Sequence, residues 1–171
     1  MDLDLHSLLS EEDWGIAVRY IGSLYRPPDL TIAPDGEPYI YRWYVTPRSS
    51  QANVYFHVQV KDDPDRPLHD HPWDNMSTIL AGGYIEHIQS HPPHGETILL
   101  TRRPGDVVFR RAKEAHRLFM PAGVPYTMTQ FTTGPKIRSW GFWDLKRGWL
   151  HNEDTVHLVD GKSVSPKENF S

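Results

Sequence analysis

The sequence has no cysteine among its 171 residues. Disulfide bonds, cysteine-based zinc sites and thiol catalysis are therefore excluded for this chain, and the composition fits a reducing compartment. No run approaches the roughly 20 apolar residues that a membrane-spanning helix requires. The acidic start, MDLDLHSLLSEEDWG, lacks the basic residues and the apolar stretch of a signal peptide. We therefore expect a soluble, cytoplasmic protein with no membrane partner.

An excess of positive charge is absent as well. The net charge is −4 and the isoelectric point is near 6.2, which argues against a nucleic-acid partner bound through its phosphates. The length is that of one ordinary domain, long enough to bury a core without disulfide bonds or a structural metal. By contrast, the chain has 15 prolines, 12 glycines and 12% aromatic residues. That composition is typical of short strands separated by turns.

One segment has the pattern of a helix. Residues 10–25 combine a capping pattern at Ser10 and Asp13 with apolar residues at helical spacing, and two prolines follow. Residues 27–37 predict a loop. From residue 38 the apolar residues alternate, which predicts short strands at 39–46, 52–60, 75–88, 97–103, 106–111, 116–121, 125–133 and 138–145.

Turn residues divide these strands. Gly82 and Gly83 predict a hairpin within 75–88, and Asp160-Gly161 predicts a small hairpin near the end of the chain. About eight to ten short strands at this spacing are typical of sandwiches and barrels. We predict an all-β fold with one N-terminal helix in a single domain. Its parts are a helix and loop over 1–37, a barrel over 38–150 and a tail over 151–171.

The segment LHDHPWDN, residues 68–75, holds two histidines one residue apart. Residues i and i+2 of a strand point to the same face, so His69 and His71 should converge on one side. Two neutral imidazoles can hold a divalent metal ion together with a third ligand from a neighbouring strand. The alternative is a polar surface loop, and the pair alone does not decide between the two.

Two segments together resemble the paired motifs of the cupin superfamily, G-x5-H-x-H-x3,4-E-x6-G and G-x5-P-x-G-x2-H-x3-N. In the first, His69 and His71 match the histidine pair and Gly82 matches the last glycine. In the second, Gly105 and His116 match. The resemblance covers about residues 50–135. This version of the first motif is similar to small uncharacterised bacterial and phage cupins.

The chain also departs from both motifs. Asp63 stands where the first motif begins with glycine, and Asn75 stands at its glutamate. The second motif is altered at three positions, which hold Arg111, Lys113 and Met120. The loss of the glutamate matters most, because in the motif it supplies the fourth metal ligand.

Three interpretations of the missing glutamate follow. The site can consist of three histidines only, Asn75 can act as a weak amide ligand or a hydrogen-bonding group, or a bulge at Trp73 can bring Asp74 to the metal. We favour three histidines with open coordination positions, the third being His116.

The resemblance implies a jelly-roll barrel, or double-stranded β-helix, with the three histidines inside. It also implies a metal-dependent enzyme. Three neutral ligands with open positions suit an Fe(II) dioxygenase acting on a small polar or anionic substrate. Zinc, manganese and nickel are alternatives for the metal. An isomerase, a lyase, a hydrolase or a non-catalytic binding module is an alternative for the function. Cupins often pair through sheet edges, so a homodimer is expected.

Further residues complete the predicted site. His57 lies on a strand and is a candidate pocket base. Arg111 shares a strand face with Val107 and Phe109, and we select it as the arginine that points inward to bind an anionic group. The alternative is an outward-facing, solvated arginine. The predicted substrate pocket consists of Trp73, Asp74, Tyr126 and Gln130.

Overall fold

A computed structural model describes residues 4–22, 26–34, 36–64, 67–90 and 95–153. Within these ranges, two short helices precede twelve strands. The helices are α1 (Leu5–Leu8) and α2 (Glu11–Ile21). The strands are β1 (Leu30–Ile32), β2 (Ile40–Tyr44), β3 (Asn53–Gln59), β4 (Leu68–His69), β5 (Asn75–Ala81), β6 (Tyr84–Gln89), β7 (Thr97–Arg102), β8 (Val107–Arg110), β9 (His116–Phe119), β10 (Thr127–Thr133), β11 (Gly141–Asp144) and β12 (Gly148–His151).

The strands form two antiparallel sheets of six strands each. The first sheet has the order β1-β2-β3-β10-β5-β8, and the second has the order β12-β11-β4-β9-β6-β7. Side chains from the two sheets meet between them, where Arg110 of β8 contacts Glu86 of β6. The predicted all-β, jelly-roll fold class is confirmed.

Helix α2 begins where the sequence predicts. The hydroxyl of Ser10 accepts a hydrogen bond from the Asp13 N–H at 3.2 Å, which caps the first turn. The helix ends earlier than predicted, at Gly22, whose φ of 68° lies in the left-handed region that glycine adopts without strain. Helix α1 was not predicted. In the part of the chain that the structure describes, no helix has both the length and the apolar character to cross a bilayer.

Strand β3 separates an apolar layer from the interior of the barrel. Phe56 and Val58 lie in an apolar cluster with Ala17 and Ile21 of α2. His57, between them in sequence, lines an internal cavity on the other side. The predicted alternation of this strand is therefore confirmed, and the helix buries the face that would otherwise be exposed.

Two short strands, β1 and β12, were not predicted, and β4, where a strand carrying both His69 and His71 was expected, ends at His69. Strand β1 lies inside the predicted loop 27–37 and pairs with β2, with Ile32 opposite Ile40. Strand β12 pairs with β11 at the junction of the predicted barrel and tail. These strands have two to four residues each, which is too short for an alternating pattern to show in the sequence.

The predicted hairpin at Gly82 and Gly83 is wrong. The chain turns there, with φ angles of 75° and 110°, but β5 belongs to the first sheet and β6 to the second. The turn is a corner at which the chain changes sheets. A Cβ atom on Gly82 would lie 2.2 Å from the Tyr126 carbonyl oxygen, so the corner requires glycine. The hairpin predicted at Asp160-Gly161 lies outside the described residues.

Candidate metal centre

Three histidine side chains converge between the sheets. The ligand atoms of His69, His71 and His116 all lie within 4.8 Å of one another, and the ring centroids are 4.8 to 5.2 Å apart. His69 lies in β4 and His116 in β9, whereas His71 follows the end of β4. Among the described histidine, aspartate and glutamate residues, this is the one group of three with such an arrangement.

Strand pairing brings these residues together from distant parts of the sequence. His69 is the direct cross-strand partner of His116, and on its other side it pairs with Phe142 of β11. The backbone N–H of His71 donates to the Ala112 carbonyl at 2.9 Å. The bend before β9 therefore holds His71 while β9 itself supplies His116.

Asp70, between the two histidines of the pair, anchors their segment. It is fully buried, and its carboxylate accepts hydrogen bonds from the Gly141 N–H at 2.7 Å and the Trp149 Nε1–H at 2.8 Å. Arg138 forms an ion pair with it at 2.6 Å. The histidines therefore face the cluster while the aspartate between them ties the segment to β11 and β12.

Glu86 holds the ring of His116. Its Oε1 lies 2.7 Å from His116 Nδ1, and its carboxylate also accepts from Arg110 Nε at 2.5 Å and Arg102 Nε at 2.7 Å. Burial alone would raise the pKa of Glu86, but the hydrogen bonds from His116 and Arg110 outweigh burial and hold that pKa well below its usual range. A carboxylate only accepts hydrogen bonds. His116 therefore donates through Nδ1, and Nε2 keeps the lone pair that binds a metal.

Two of the three imidazoles are held in their neutral form. Burial lowers the pKa of His116 to about 4, with Arg110 acting in the same direction and Glu86 opposing it. Burial is the main cause that lowers the pKa of His71 well below 6.5, and electrostatic interactions with His116 and His69 act in the same direction. Metal ions bind deprotonated imidazole nitrogens, so these two side chains are in the required state at neutral pH.

The donor set fits a divalent metal ion. Metal–nitrogen bonds of about 2.1 Å place three nitrogens that share one ion about 3.0–3.6 Å from one another. Nitrogens within 4.8 Å of one another therefore need only a small side-chain movement to share one ion. In addition, His71 Nδ1 is buried and has no hydrogen-bond partner among the described residues. Coordination of the ring would supply the interaction that its burial otherwise lacks.

The histidines face an internal cavity of about 90 Å³. Its wall combines aromatic rings with polar side chains. The Trp73 ring stacks on that of His71 with centroids 5.4 Å apart. Beyond the cluster, the wall includes Arg42, His57, Asp63, Trp73, Phe131 and Trp140. A site of this kind, concave and partly apolar with a few convergent polar groups, is where small ligands bind.

Arg42 and His57 form a polar pair in this wall. They are cross-strand partners on β2 and β3, and Arg42 Nε donates to His57 Nε2 at 2.8 Å. The two residues are 5% and 8% exposed. Burial, followed by the charge of Arg42, lowers the pKa of His57 well below 6.5. The pair therefore carries a single positive charge, on the guanidinium.

Asp63 lies in the wall beside His69. Its Oδ2 accepts a hydrogen bond from the Leu118 N–H at 2.7 Å and lies 4.0 Å from His69 Nδ1. Burial raises the pKa of Asp63 to about 6, although the nearby His116 lowers it. This carboxyl group can therefore gain or lose a proton close to neutral pH.

Solved structures with a similar fold were compared. HppE with Fe(II) and substrate bound has a TM-score of 0.51 and 14% identity, over 66% of this chain and 60% of that chain. An uncharacterized conserved protein with a double-stranded β-helix domain from Klebsiella pneumoniae has a TM-score of 0.47 and 15% identity, over 67% of this chain and 90% of that chain. A cupin superfamily protein from Desulfitobacterium hafniense has a TM-score of 0.43 and 15% identity, over 65% of this chain and 92% of that chain. No family model and no curated protein matches the sequence.

The fold is that of the cupins. The resemblance carried by the two sequence motifs is thus confirmed at the level of the fold. In this chain the first motif supplies His69 and His71, the second supplies His116, and the three side chains meet. Gly105 of the second motif turns the chain before β8 with a φ of 95°.

At the position of the cupin glutamate, Asn75 is buried but is not among the described residues that line the cavity. Its Oδ1 has no hydrogen-bond partner in the described part of the chain. The neighbouring Asp74 carboxylate accepts from the Ala112 N–H at 2.7 Å. Asp74 therefore anchors the bend before β9 instead of reaching the cluster or the pocket. This placement favours the three-histidine interpretation, and ligation by Asn75 stays a prediction.

The other predicted site residues divide into two groups. Trp73 and His57 lie in the cavity wall as predicted. Tyr126 lies in the apolar cluster under α2, where its hydroxyl contacts Ser10 and Asp13. On β10 the cavity wall is formed by Thr129 and Phe131, between which Gln130 faces the other side.

Arg111 is exposed and lies outside the cavity wall, in contrast to the predicted inward arginine. On β8 the inward residues are Val108 and Arg110, whereas Val107 and Phe109 are 59% and 63% exposed. The prediction placed the apolar pair Val107 and Phe109 inside. A shift of one residue along a strand moves every side chain to the other face.

Sequence reasoning missed Glu86, Arg42 and Asp63. Two of them had a weak signal. Glu86 shares a strand face with Tyr84 and Ile88, and an acidic residue on an apolar face indicates a buried partner. Arg42 stands inside an otherwise aromatic and aliphatic strand. Only the fold shows that both point inward.

Proposed function

We propose that this protein is a metal-dependent cupin enzyme and that its activity is that of an Fe(II) dioxygenase on a small substrate. One observation carries the proposal. Three imidazoles from two motifs converge within 4.8 Å of one another at the wall of a cavity. A merely structural histidine would be satisfied by hydrogen bonds, whereas His71 has a buried nitrogen with no partner among the described residues.

His69, His71 and His116 would hold the metal. A bound Fe(II) ion supplies open coordination positions at which oxygen and a substrate can react together. The chain's own residues do the rest. Glu86 fixes the tautomer and orientation of His116, Asp70 fixes the segment of the histidine pair, and Trp73 and Phe131 keep the cavity apolar and exclude water.

Elemental analysis of gently purified protein tests metal binding. We expect close to one first-row divalent metal ion per chain, and less than about a tenth of that in His69→Ala and His116→Ala, because each removes a ligand. His87→Ala is the matched control, since His87 lies on β6 outside the cavity wall. Wild-type protein that neither contains nor can be loaded with a metal would contradict the proposal.

Oxygen uptake tests the dioxygenase activity. Protein loaded with Fe(II) is given a panel of small carboxylic acids, alcohols and thiols in an oxygen electrode. We expect at least one compound to accelerate uptake and to gain both oxygen atoms, as read by mass spectrometry with labelled oxygen. Conversion of a compound without oxygen uptake contradicts the dioxygenase and favours a non-oxidative enzyme. Binding without any conversion favours a non-catalytic binding module.

Asp63 supports the non-oxidative alternative, an isomerase, lyase or hydrolase with zinc, manganese or nickel. It is a buried carboxyl group in the cavity wall, next to His69. Such a group can transfer protons to or from a substrate. In that case Asp63→Asn abolishes conversion while metal content stays at the wild-type level. An unchanged rate in Asp63→Asn would remove this alternative.

We also propose that two copies pair through the edges formed by β7 and β8. Both strands end their sheets, and Leu99, Val107 and Phe109 are 64%, 59% and 63% exposed. An edge that combines unpaired backbone groups with apolar side chains favours pairing with an identical edge. Light scattering should find a dimer for the wild type and a monomer for Phe109→Lys. A monomeric wild type contradicts this assembly.

A further inference from the structure

One arginine lies in the wall of the three-histidine cavity. Arg42 is 5% exposed and is the sole lysine or arginine among the described residues that line the cavity. We propose that the ligand of this cavity is a small carboxylate, whose carboxylate group is bound by the guanidinium of Arg42. The inference rests on the proposed function where it identifies this ligand with the substrate. It names both the substrate class and the residue that selects it.

The guanidinium of Arg42 is held in a fixed orientation. Its Nε–H donates to His57 Nε2 at 2.8 Å, and its Cζ lies 4.6 Å from the centre of the Tyr55 ring. A hydrogen bond at the edge and an aromatic face together fix both the position and the plane of the group. A planar fork held in this way matches the two oxygens of a carboxylate, and little side-chain entropy is lost when the ligand binds.

The neighbouring side chains favour an anion over a cation as the ligand. His57 is neutral, because burial and Arg42 lower its pKa. The two acidic residues of the wall hold parts of the fold together. Asp63 accepts from the Leu118 N–H, and Asp70 accepts from Gly141 and Trp149. Both carboxylates accept from backbone N–H groups, and Asp70 is also paired with Arg138 at 2.6 Å, whereas Arg42 supplies the cation of the cavity wall.

A second, larger basin lies next to the cavity. It has a volume of about 420 Å³, and Trp73 lines both spaces. Among the described residues, the charged side chains that line the basin are Arg48 and Lys136, both cationic. This local positive charge contrasts with the net charge of −4 for the whole chain. A concave surface lined by charge of one sign raises the local concentration of ligands of the opposite sign.

The size and the walls of the cavity limit the rest of the ligand. About 90 Å³ of space admits only a small molecule. Phe131 and Trp140 offer apolar surface on the same cavity wall as the histidines. A carboxylate bound to Arg42 would therefore direct a short, partly apolar remainder along these rings toward the histidine cluster.

Calorimetric titration of the wild-type protein tests the charge preference without any substitution. The probes are acetate, propionate and lactate, each compared with its uncharged amide, which has nearly the same shape. The titrations use metal-free protein and protein loaded with zinc, which undergoes no redox chemistry. We expect at least one acid to bind about tenfold or more tightly than its amide, as one charge-assisted bidentate contact provides. Equal binding of acids and amides, or no binding of any acid, overturns the inference.

Two variants assign the preference to Arg42. Arg42→Gln should remove the difference between acid and amide, and Arg42→Lys should retain part of it because the charge stays but the planar fork is lost. Arg103→Gln, at an exposed arginine of the turn before β8, is the matched control and should bind like the wild type. Thermal unfolding confirms that each variant is folded. A preference that survives in Arg42→Gln overturns the assignment. If Arg42→Gln does not fold, a preference that is reduced in Arg42→Lys and intact in Arg103→Gln supports the assignment, and one that is undiminished in Arg42→Lys overturns it.

Inorganic phosphate is titrated in parallel as the other common small oxyanion. Tighter binding of phosphate than of any carboxylate would overturn the carboxylate assignment in favour of phosphoryl compounds. The metal state separates this inference from the proposed function. If the protein takes up no metal but prefers acids through Arg42, the metal proposal fails and the anion site stands. If metal binds but the preference is absent, the anion site fails alone.

Discussion

Two buried arginines, Arg42 on β2 and Arg110 on β8, lie in distant strands of the first sheet and differ in the side chains that they contact. They are 5% and 4% exposed. Arg110 donates to Glu86 at 2.5 Å and to the hydroxyl of Tyr84 at 3.2 Å, whereas Arg42 donates to the neutral ring of His57. Burial lowers the pKa of Arg42. For Arg110, Tyr84 and Glu86 outweigh burial and raise the pKa.

The comparison shows that burial alone does not distinguish a structural arginine from a ligand-binding one. Arg110 is one member of a compensated network that also orients His116 through Glu86. Arg42 is held by a hydrogen bond to an uncharged nitrogen and lines the cavity. We interpret the first as structural and the second as ligand-binding. Four predictions test this difference between the two arginines, in order of decreasing expected effect.

The largest effect is expected for Glu86→Gln. The substitution keeps the shape of the side chain but removes the negative charge that two arginines share, so Arg110 becomes a buried charge without its main partner. We expect the free energy of unfolding to fall by about 3–5 kcal/mol, measured by urea unfolding of chelator-treated protein. Glu12→Gln, on the exposed side of α2, is the control and should change stability by less than about 0.5 kcal/mol. A loss below about 1 kcal/mol for Glu86→Gln would falsify the compensated network.

A direct comparison of Arg110→Gln with Arg42→Gln should give unequal losses. Arg110→Gln removes one of the buried partners of Glu86 and should cost about 3 kcal/mol. Arg42→Gln removes a charge whose burial itself is costly, so its loss should be about 1 kcal/mol. The same urea assay measures both. Equal losses would mean that Arg42 contributes to stability as Arg110 does, and would weaken its interpretation as a ligand-binding residue.

The pH dependence of stability should report the neutral state of His57. Its pKa lies well below 6.5 in the folded protein, because of burial and then Arg42. Below pH 6.5 the unfolded chain therefore binds a proton that the folded chain excludes, and stability falls as the pH is lowered. In His57→Gln this slope should decrease by about one proton, or about 1.4 kcal/mol per pH unit. Urea unfolding of metal-free protein between pH 4 and pH 7 measures it, with neighbouring Thr129→Val as a control that keeps the wild-type slope.

The smallest effect is expected for Arg111→Gln. This arginine is exposed and outside the cavity wall, so stability should change by less than about 0.5 kcal/mol, and metal content should stay the same. Binding of acetate, propionate and lactate should also match the wild type. Loss of acid binding in this variant would restore Arg111 as the inward arginine and contradict the role of Arg42.

The fold was predictable because its signals are local and repeated. Alternating strands are visible from residue 38 onward, Ser10 marks the start of α2, and the histidine pair and His116 stand at the spacing of the two cupin motifs. These features can be recognised in the sequence without knowing the tertiary contacts. Strand β12 gave no signal, because it is held by pairing with β11 and by the hydrogen bond from Trp149 to Asp70.

The faces of two strands could not be assigned from the sequence. On β8, both Val107 and Val108 are apolar, so the pattern does not distinguish inside from outside. On β10, Met128 is fully buried although it faces away from the cavity, because it packs in the apolar cluster under α2. Tyr126, Gln130 and Arg111 were therefore assigned to the cavity, although Thr129, Phe131 and Arg42 line it. Only tertiary contacts resolve a strand whose two faces are equally apolar.

Asp70 links the histidine pair to a part of the chain that is made much later. Its partners Gly141 and Trp149 lie 71 and 79 residues further along the sequence. A nascent chain that has left the ribosome only as far as β10 already contains all three histidines, but not the groups that hold Asp70. Contacts between residues so far apart form slowly and late in folding. The growing chain would thus expose its histidines one by one without a competent site, and metal capture would begin only after synthesis has passed β12.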